Sequence, residues 1–159
     1  MSDNDTLRFY ADNAATYAQH RTRPTLERLE TFLAALSPSA RILELGCGNG
    51  MDAAHMRARG FDVDATDGTP ELVTEARKRL GGKVRVLRFE ELDAVSAYDG
   101  VWACASLLHV AAASLPDILA RVRRALRPGG VFVASFKAGA GEGRDPYGRY
   151  YNYPSAKQL

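Results

Sequence analysis

The feature that most constrains this fold is a short strand-like run that leads directly into three alternate glycines. Residues 41–45 are mainly apolar and too few for a helix, and they precede Gly46, Gly48 and Gly50. Residues 51–59 then have helical character. A strand, a glycine loop and a helix in this order predict a loop at the carboxyl edge of a parallel sheet, where open α/β sheets bind their ligands.

The same alternation continues along the chain. Residues 6–19 predict a polar helix, and residues 24–36 predict an amphipathic one in which Pro24 suits the first turn. Thr69 and Pro70 suit the start of a later helix. Further strands are predicted over residues 61–66, 83–87, 98–104 and 131–136, and further helices over residues 69–80 and 115–126. This order predicts an α/β fold, a three-layer doubly wound parallel sheet of about five strands.

The length suits one domain. A chain of 159 residues that is 46% hydrophobic can bury a core of its own. We predict N-terminal helices over residues 1–37, the core over residues 38–137, and a loop-like tail rich in glycine and tyrosine over residues 138–159. Residues 1–159 are therefore predicted to form a single domain.

Charge and composition argue against several classes of partner. The formal net charge is +2 and the basic residues are scattered, which argues against a nucleic-acid surface. No apolar run approaches the roughly 20 residues of a membrane span, and the polar start lacks the apolar core of a signal peptide. Two distant cysteines indicate neither a zinc site nor a disulfide framework, so no metal is predicted. These observations favour a cytoplasmic protein.

The glycine loop and one acid together predict a nucleoside site. Glycines allow a tight turn and close approach of the main chain to a ligand, and the following helix directs its first amides at that ligand. The glycines here are one residue tighter than the dinucleotide pattern Gly-x-Gly-x-x-Gly, and Glu44 precedes them. Asp67 follows Gly46 by 21 residues and stands at the end of the second strand. A carboxylate there can accept two hydrogen bonds from a ribose diol.

Four sequence blocks carry a resemblance to a known family. They are Glu44-Leu45-Gly46-Cys47-Gly48-Asn49-Gly50, Asp67-Gly68, Tyr98-Asp99-Gly100-Val101-Trp102 and Leu126-Arg127-Pro128-Gly129-Gly130. In these blocks, over about residues 7–137, the chain resembles the class I S-adenosylmethionine-dependent methyltransferases, which have a Rossmann-like fold. The segments around Phe9-Tyr10, Leu107-Leu108-His109 and Tyr150-Tyr151-Asn152-Tyr153-Pro154 are similar to small bacterial methyltransferases that act on small molecules, including the tellurite-resistance type.

The resemblance implies S-adenosyl-L-methionine as the cofactor and assigns residues to it. Gly46 and its neighbours would meet the methionine end, Glu44 would support its ammonium, and Asp67 would hold the ribose. Glu90 would meet the adenine amino group, with Glu91 as a substitute. The predicted cofactor-binding residues are Tyr17, Glu44, Gly46, Cys47, Gly48, Gly50, Asp67, Gly68, Phe89, Glu90, Cys104 and Ala105.

The sequence leaves two interpretations open for each of several side chains. Tyr10 and Tyr17 either fold over the cofactor as a lid or pack the first helix against the sheet. His109 follows the fourth strand, so it is either a base or a packing or capping residue. Glu90 and Glu91 are either cofactor contacts or a solvated pair.

The predicted reaction is methyl transfer to a small-molecule acceptor by in-line displacement. Because a sulfonium methyl group is already activated, positioning is the main demand on the protein, and no catalytic residue is predicted. Two alternatives are a non-catalytic module that binds S-adenosylmethionine and a nicotinamide-dependent dehydrogenase. The tight glycine spacing and the Arg-Pro-Gly-Gly block argue against the dehydrogenase.

The chain departs from the resembled family at its end. The family's sheet usually has seven strands, whereas this chain stops before the final strand hairpin. The fifth strand is then predicted to be an open edge, which invites pairing with another chain. We expect one of three outcomes: the sequence is a fragment, a partner such as a second copy covers the edge, or the tyrosine-rich tail folds back over it.

Overall fold

The computed structural model describes residues 2–20 and 26–158, and its elements alternate as expected from residue 41 onward. The strands are β1 (Arg41–Leu45), β2 (Asp62–Asp67), β3 (Val84–Val86), β4 (Tyr98–Cys104), β5 (Leu126–Ser135), β6 (Glu142–Arg144) and β7 (Tyr150–Asn152). The α-helices are α1 (Asn4–Asp12), α2 (Ala14–His20), α3 (Leu26–Ala34), α4 (Met51–Ala58), α5 (Pro70–Leu80) and α6 (Leu115–Ala125). Short 3-10 turns lie at Phe89–Glu91, Leu107–His109 and Ala112–Ser114.

Five parallel strands form the central sheet in the order β3-β2-β1-β4-β5. The chain therefore moves outward from β1 to β3 and then returns to the other side of β1. Leu43 pairs with Asp64 of β2 on one side and with Val101 of β4 on the other. The reversal of strand order beside β1 creates a crevice at the carboxyl edge of the sheet. This topology confirms the predicted doubly wound fold.

Alternate residues of the central strands supply the two faces of the core. Ile42 and Trp102 point to one face, which α3, α4 and α5 cover, whereas Leu43 and Val101 point to the other, which α6 covers. All four side chains are fully buried. A strand apolar on both faces requires helices on both sides of the sheet, and this is the three-layer arrangement.

Some element boundaries differ from those predicted. The helix expected over residues 6–19 is two helices, because α1 ends where the amide groups of Asn13 bind the carbonyl of Phe9. Pro24 lies outside the described residues. The fifth strand begins at Leu126, since Leu126 pairs with Tyr98 before the register shifts and Val131 pairs with Gly100.

The tail is not entirely loop, because β6 and β7 pair as an antiparallel hairpin separate from the main sheet. Asp145 closes the connecting turn through bonds with the main chain of Gly148 and Arg149. The hairpin lies against α1, where the amide of Tyr150 donates to the hydroxyl of Thr6 over 2.8 Å. It leaves β5 at the edge of the central sheet. Over residues 138–158 the tail therefore folds onto α1 and does not pair with the edge strand.

None of the helices within the described ranges combines the length and apolar character that crossing a bilayer requires.

Candidate functional site

The glycine loop takes a conformation that side chains would obstruct. Gly46, Gly48 and Gly50 have φ of 78°, 56° and 76°, in the left-handed region. A Cβ on Gly46 would stand 2.4 Å from the Cβ of Ser106, and one on Gly50 would stand 2.7 Å from Leu80. The close approach of Ser106 therefore requires glycine at position 46, whereas at position 50 it is the left-handed backbone that favours glycine.

Main-chain bonds hold this loop against β2. The amides of Gly46 and Cys47 both donate to the carbonyl of Thr66, over 2.9 and 2.8 Å. The Thr66 hydroxyl in turn donates to the carbonyl of Glu44 over 2.7 Å. The loop is thus fixed before α4 begins at Met51.

Asp67 joins the glycine loop to the start of α5. One carboxylate oxygen accepts from the amide of Gly48 and the other from the amide of Thr69, each over 2.9 Å. Thr69 occupies the N-cap position as predicted, but its side chain makes no cap bond to the helix. Burial raises the pKa of Asp67 to about 6, and the amide bonds oppose that rise. Because each carboxylate oxygen has a second lone pair, the group can still accept from a vicinal diol.

A cleft opens between these loops and α1. Seven predicted cofactor residues line it: Tyr17, Gly46, Gly48, Asp67, Gly68, Phe89 and Ala105. Tyr17 covers the glycine loop so closely that a Cβ on Gly48 would be 3.3 Å from its ring. Tyr10 contacts Tyr17 edge to face, with ring centroids 5.3 Å apart, and it also lines the cleft. Both tyrosines therefore face the predicted cofactor position from the N-terminal helices.

Three of the other predicted residues are packed behind the cleft. Glu44 and Cys47 are buried in β1 and the loop, with exposed fractions of 3% and 1%. Gly50 lies against α5, where Ala76 and Leu80 pack. These residues support the loop from behind, and direct cofactor contact by them stays a prediction.

Glu90, Glu91 and Cys104 each bond to another part of the chain. Both the amide and the hydroxyl of Ser2 donate to the Glu90 carboxylate, over 3.0 and 2.8 Å. The Glu91 carboxylate accepts from the amide of Arg88 over 2.9 Å, which caps the short 3-10 turn. Cys104 accepts a bond from the Ser135 hydroxyl at 3.4 Å. The Glu90 carboxylate thus bonds to Ser2 in this structure. Contact between Glu90 and adenine stays a prediction.

Tyr10 and His109, for each of which the sequence left two interpretations open, contact each other in the cleft. His109 lies after β4 and Tyr10 on α1, and the imidazole Nε2 is 3.0 Å from the Tyr10 hydroxyl. The imidazole Nδ1 is 2.6 Å from the carbonyl of Tyr150 in the tail. Burial is the main cause that lowers the pKa of His109 to about 4, so its ring is neutral at neutral pH. Residues 99 positions apart in the chain meet here, and no local pattern reveals such a contact.

Other lining residues were also missed from the sequence. Leu7 lies over Gly68, while Arg88 and Ser106 complete the walls. Ser106 donates to the carbonyl of Leu45 over 2.6 Å, which ties the loop after β4 to the glycine loop. Within residues 2–20 and 26–158, no group of three or more acidic, histidine or cysteine side chains is arranged to hold a metal ion.

The sheet order, the glycine loop and the acid at the end of β2 define a Rossmann-like α/β protein with a cleft at its switch point. The methyltransferase domain family matches residues 42–130 of this chain. The chain therefore belongs to that family.

Individual matches agree with this assignment. A ubiquinone biosynthesis O-methyltransferase of Xanthomonas axonopodis pv. citri is 40% identical over 119 residues, covering 68% of this chain and 48% of that protein. The structure of Burkholderia thailandensis 1,6-didemethyltoxoflavin-N1-methyltransferase, with bound 1,6-didemethyltoxoflavin and S-adenosylhomocysteine, has a TM-score of 0.70 at 24% identity, covering 96% of this chain and 72% of that one. The chain spans about half the length of the curated relatives it matches, 43% of one and 48% of another.

The dehydrogenase alternative is set aside on these findings. A structure from Rhodobacter sphaeroides described as a zinc-dependent alcohol dehydrogenase has a TM-score of 0.72 at 16% identity, covering 88% of this chain and 57% of that one. A likeness at that identity reflects the shared Rossmann-like fold alone, whereas the family match rests on sequence.

Proposed function

We propose that this chain transfers the methyl group of S-adenosylmethionine to a small-molecule acceptor. The observation that carries the proposal is the cleft that Asp67, Gly46 and Gly48 share with Tyr10 and His109. Cofactor residues and polar side chains that could meet an acceptor therefore face one space. The 40% identical relative is named as an O-methyltransferase of ubiquinone biosynthesis, which supports a small acceptor.

In this proposal the chain's own groups hold the cofactor in three places. The main chain at Gly46 and Gly48 lies against the methionine end, because neither residue has a side chain to prevent approach. Asp67 accepts from the ribose hydroxyls with its remaining lone pairs. Tyr17 covers the loop from α2. The bound cofactor supplies a methyl group activated by the positive charge on sulfur.

The chain's contribution to rate is then alignment of the acceptor with that methyl group. Holding two reactants in line can lower a barrier by roughly 7–11 kcal/mol. The cleft is closed on one side by α1, whose Leu7 lies 3.3 Å from the position of a Cβ on Gly68. Closure of this kind limits the positions open to an acceptor and excludes water from the reacting atoms.

Calorimetric titration with S-adenosylhomocysteine and, separately, with NAD tests the cofactor site. We expect saturable binding of S-adenosylhomocysteine and no heat from NAD. Tight NAD binding without an adenosylhomocysteine signal would overturn the proposal. Transfer of a radiolabelled methyl group to a panel of phenols, amines and thiols tests turnover. Binding without transfer to any of them would favour the second candidate, a non-catalytic module that binds S-adenosylmethionine.

For the assembly, we propose a homodimer through the edge strand. Among the described residues, β5 pairs with β4 on one side and with no strand on the other. Such an edge offers unpaired main-chain groups to a second copy. Light scattering across a range of concentrations tests this, and a constant monomer mass would contradict it.

A further inference from the structure

Tyr10 and His109 form a chain of two hydrogen bonds that begins in the cleft and ends on the main chain of the tail. A backbone carbonyl can only accept, so the 2.6 Å contact with Tyr150 requires a proton on His109 Nδ1. In the neutral ring Nε2 is then an acceptor. The Tyr10 hydroxyl, 3.0 Å away, must donate to it.

The groups around the His109 imidazole favour its neutral form. The ring of Tyr151, on β7, packs against it with centroids 4.7 Å apart. Burial lowers the pKa of His109 most, and the bond to the Tyr150 carbonyl opposes that shift. The charges of Arg149 and Lys137 lower the pKa further, while that of Asp145 raises it. At neutral pH the neutral ring therefore directs the lone pair of Nε2 at the Tyr10 hydroxyl, and the bond to Tyr150 in the tail fixes the orientation of the ring.

Two side chains, His109 and Arg149, hold the Tyr10 hydroxyl in position. It donates to His109 Nε2, and a guanidinium nitrogen of Arg149 stands 3.5 Å from its oxygen. Burial raises the pKa of Tyr10 above its usual range, so the phenol keeps its proton when no acceptor is present. Tyr10 also lines the cleft, and a phenol oxygen is an acceptor, so it can take a proton from a group bound there.

We propose that Tyr10 and His109 act as a proton relay, and that the methyl acceptor of this site is a hydroxyl on an aromatic ring. This inference rests on the proposed function. A hydroxyl keeps its proton at neutral pH and is a weak nucleophile until that proton leaves. Tyr10, Tyr17 and Phe89 present aromatic rings to the cleft, which suits a planar acceptor.

The step balances in atoms and charge. The acceptor oxygen bonds to the methyl carbon as the carbon–sulfur bond breaks, with its electron pair staying on sulfur. The acceptor proton passes to the Tyr10 oxygen while the Tyr10 proton passes to His109 Nε2. One positive charge leaves sulfur and one appears on the imidazole, so the net charge of the cleft is unchanged.

Methylation rates of phenols that differ in acidity distinguish proton transfer by Tyr10 and His109 from a purely structural role of these residues. The variants are His109→Gln and Tyr10→Phe, and the matched controls are His20→Gln and Tyr147→Phe at exposed positions. With 4-methylphenol, which is un-ionised at the assay pH, we expect kcat to fall by roughly 10²–10⁴-fold in the two variants. With 4-nitrophenol, which is largely ionised in slightly alkaline buffer, they should keep most of the wild-type rate. Equal losses with both phenols would overturn the relay.

Two measurements that do not depend on turnover complete the test. Nitrogen-15 NMR, with the His109 signals identified by their loss in His109→Gln, should show that ring neutral with its proton on Nδ1, and Tyr10→Phe should shift its Nε2 signal. A doubly protonated ring at neutral pH, or the opposite tautomer, would contradict the relay. Calorimetry with S-adenosylhomocysteine distinguishes the two proposals. If wild type binds S-adenosylhomocysteine but methylates only amines, the relay is wrong and the proposed function stands. If it does not bind, the proposed function fails.

Discussion

The carboxylate of Asp67, at the end of β2, accepts a hydrogen bond 2.9 Å long from the main-chain amide of Gly48, in the loop after β1. The other carboxylate oxygen accepts from the amide of Thr69. One buried side chain therefore holds the two loops that flank the predicted ribose position, so it can act on the cofactor both directly and through the loop.

Replacing Asp67 with alanine should weaken binding of S-adenosylhomocysteine by about 1–3 kcal/mol, because the ribose loses a charged acceptor. Calorimetric titration measures the change. Asp62→Ala is the matched control, since Asp62 is exposed at the opposite end of the same strand. An unchanged affinity in Asp67→Ala would mean that the ribose lies elsewhere.

The affinity for S-adenosylhomocysteine should fall as the pH drops below about 6. Burial raises the pKa of Asp67 to about 6 in the folded chain, so the carboxylate is protonated below that value and accepts fewer hydrogen bonds. Titrations from pH 5 to pH 8 check this, and Asp67→Ala should flatten the curve. In wild type, a steady affinity down to pH 5 would contradict the prediction.

Folding stability should also fall at acid pH, through a contribution that comes from His109. Burial lowers its pKa from 6.5 to about 4, so the unfolded chain binds the proton more tightly. This contribution is fully present above pH 6.5 and is lost as pH falls through about 4, to a total of at most about 3 kcal/mol. Asp67 acts with the reverse sign: its raised pKa favours the fold below pH 3.8, and that stability is lost as pH rises through about 6.

Urea unfolding at several pH values separates the two groups. Relative to wild type, His109→Gln should lose stability at pH 7 and little at pH 4, whereas the exposed His20→Gln should follow wild type throughout. If His109→Gln loses as much stability at pH 4 as at pH 7, the histidine is not held neutral by burial.

Gly46→Ala should destabilise the fold more than Gly148→Ala does. The two glycines have nearly the same positive φ, 78° and 79°, so both variants bear a strain of roughly 1–2 kcal/mol. Only at Gly46 would the new Cβ meet another atom, the Cβ of Ser106 at 2.4 Å. Such a clash adds roughly 1–3 kcal/mol. Urea unfolding measures the difference, and equal losses would show that Ser106 can move away freely.

Much of the fold followed from local pattern. β1 and β4 have the bounds that their apolar runs predict, because a strand buried on both faces needs a continuous apolar segment. Trp102, within β4, lies fully buried. The pairing of β6 with β7 was missed, because three-residue strands among glycines and polar residues show no clear period.

The sequence by itself determined the alternation of strands and helices, the glycine loop and the position of Asp67. These depend on neighbouring residues and on the rule that parallel strands expose their carboxyl ends at one edge. Only the tertiary structure decided that α1 and the tail close over that edge, bringing Tyr10 to His109 and Ser2 to Glu90. Those contacts join residues about 90 to 100 positions apart, and they depend on side-chain packing after the sheet has formed, which no local period encodes.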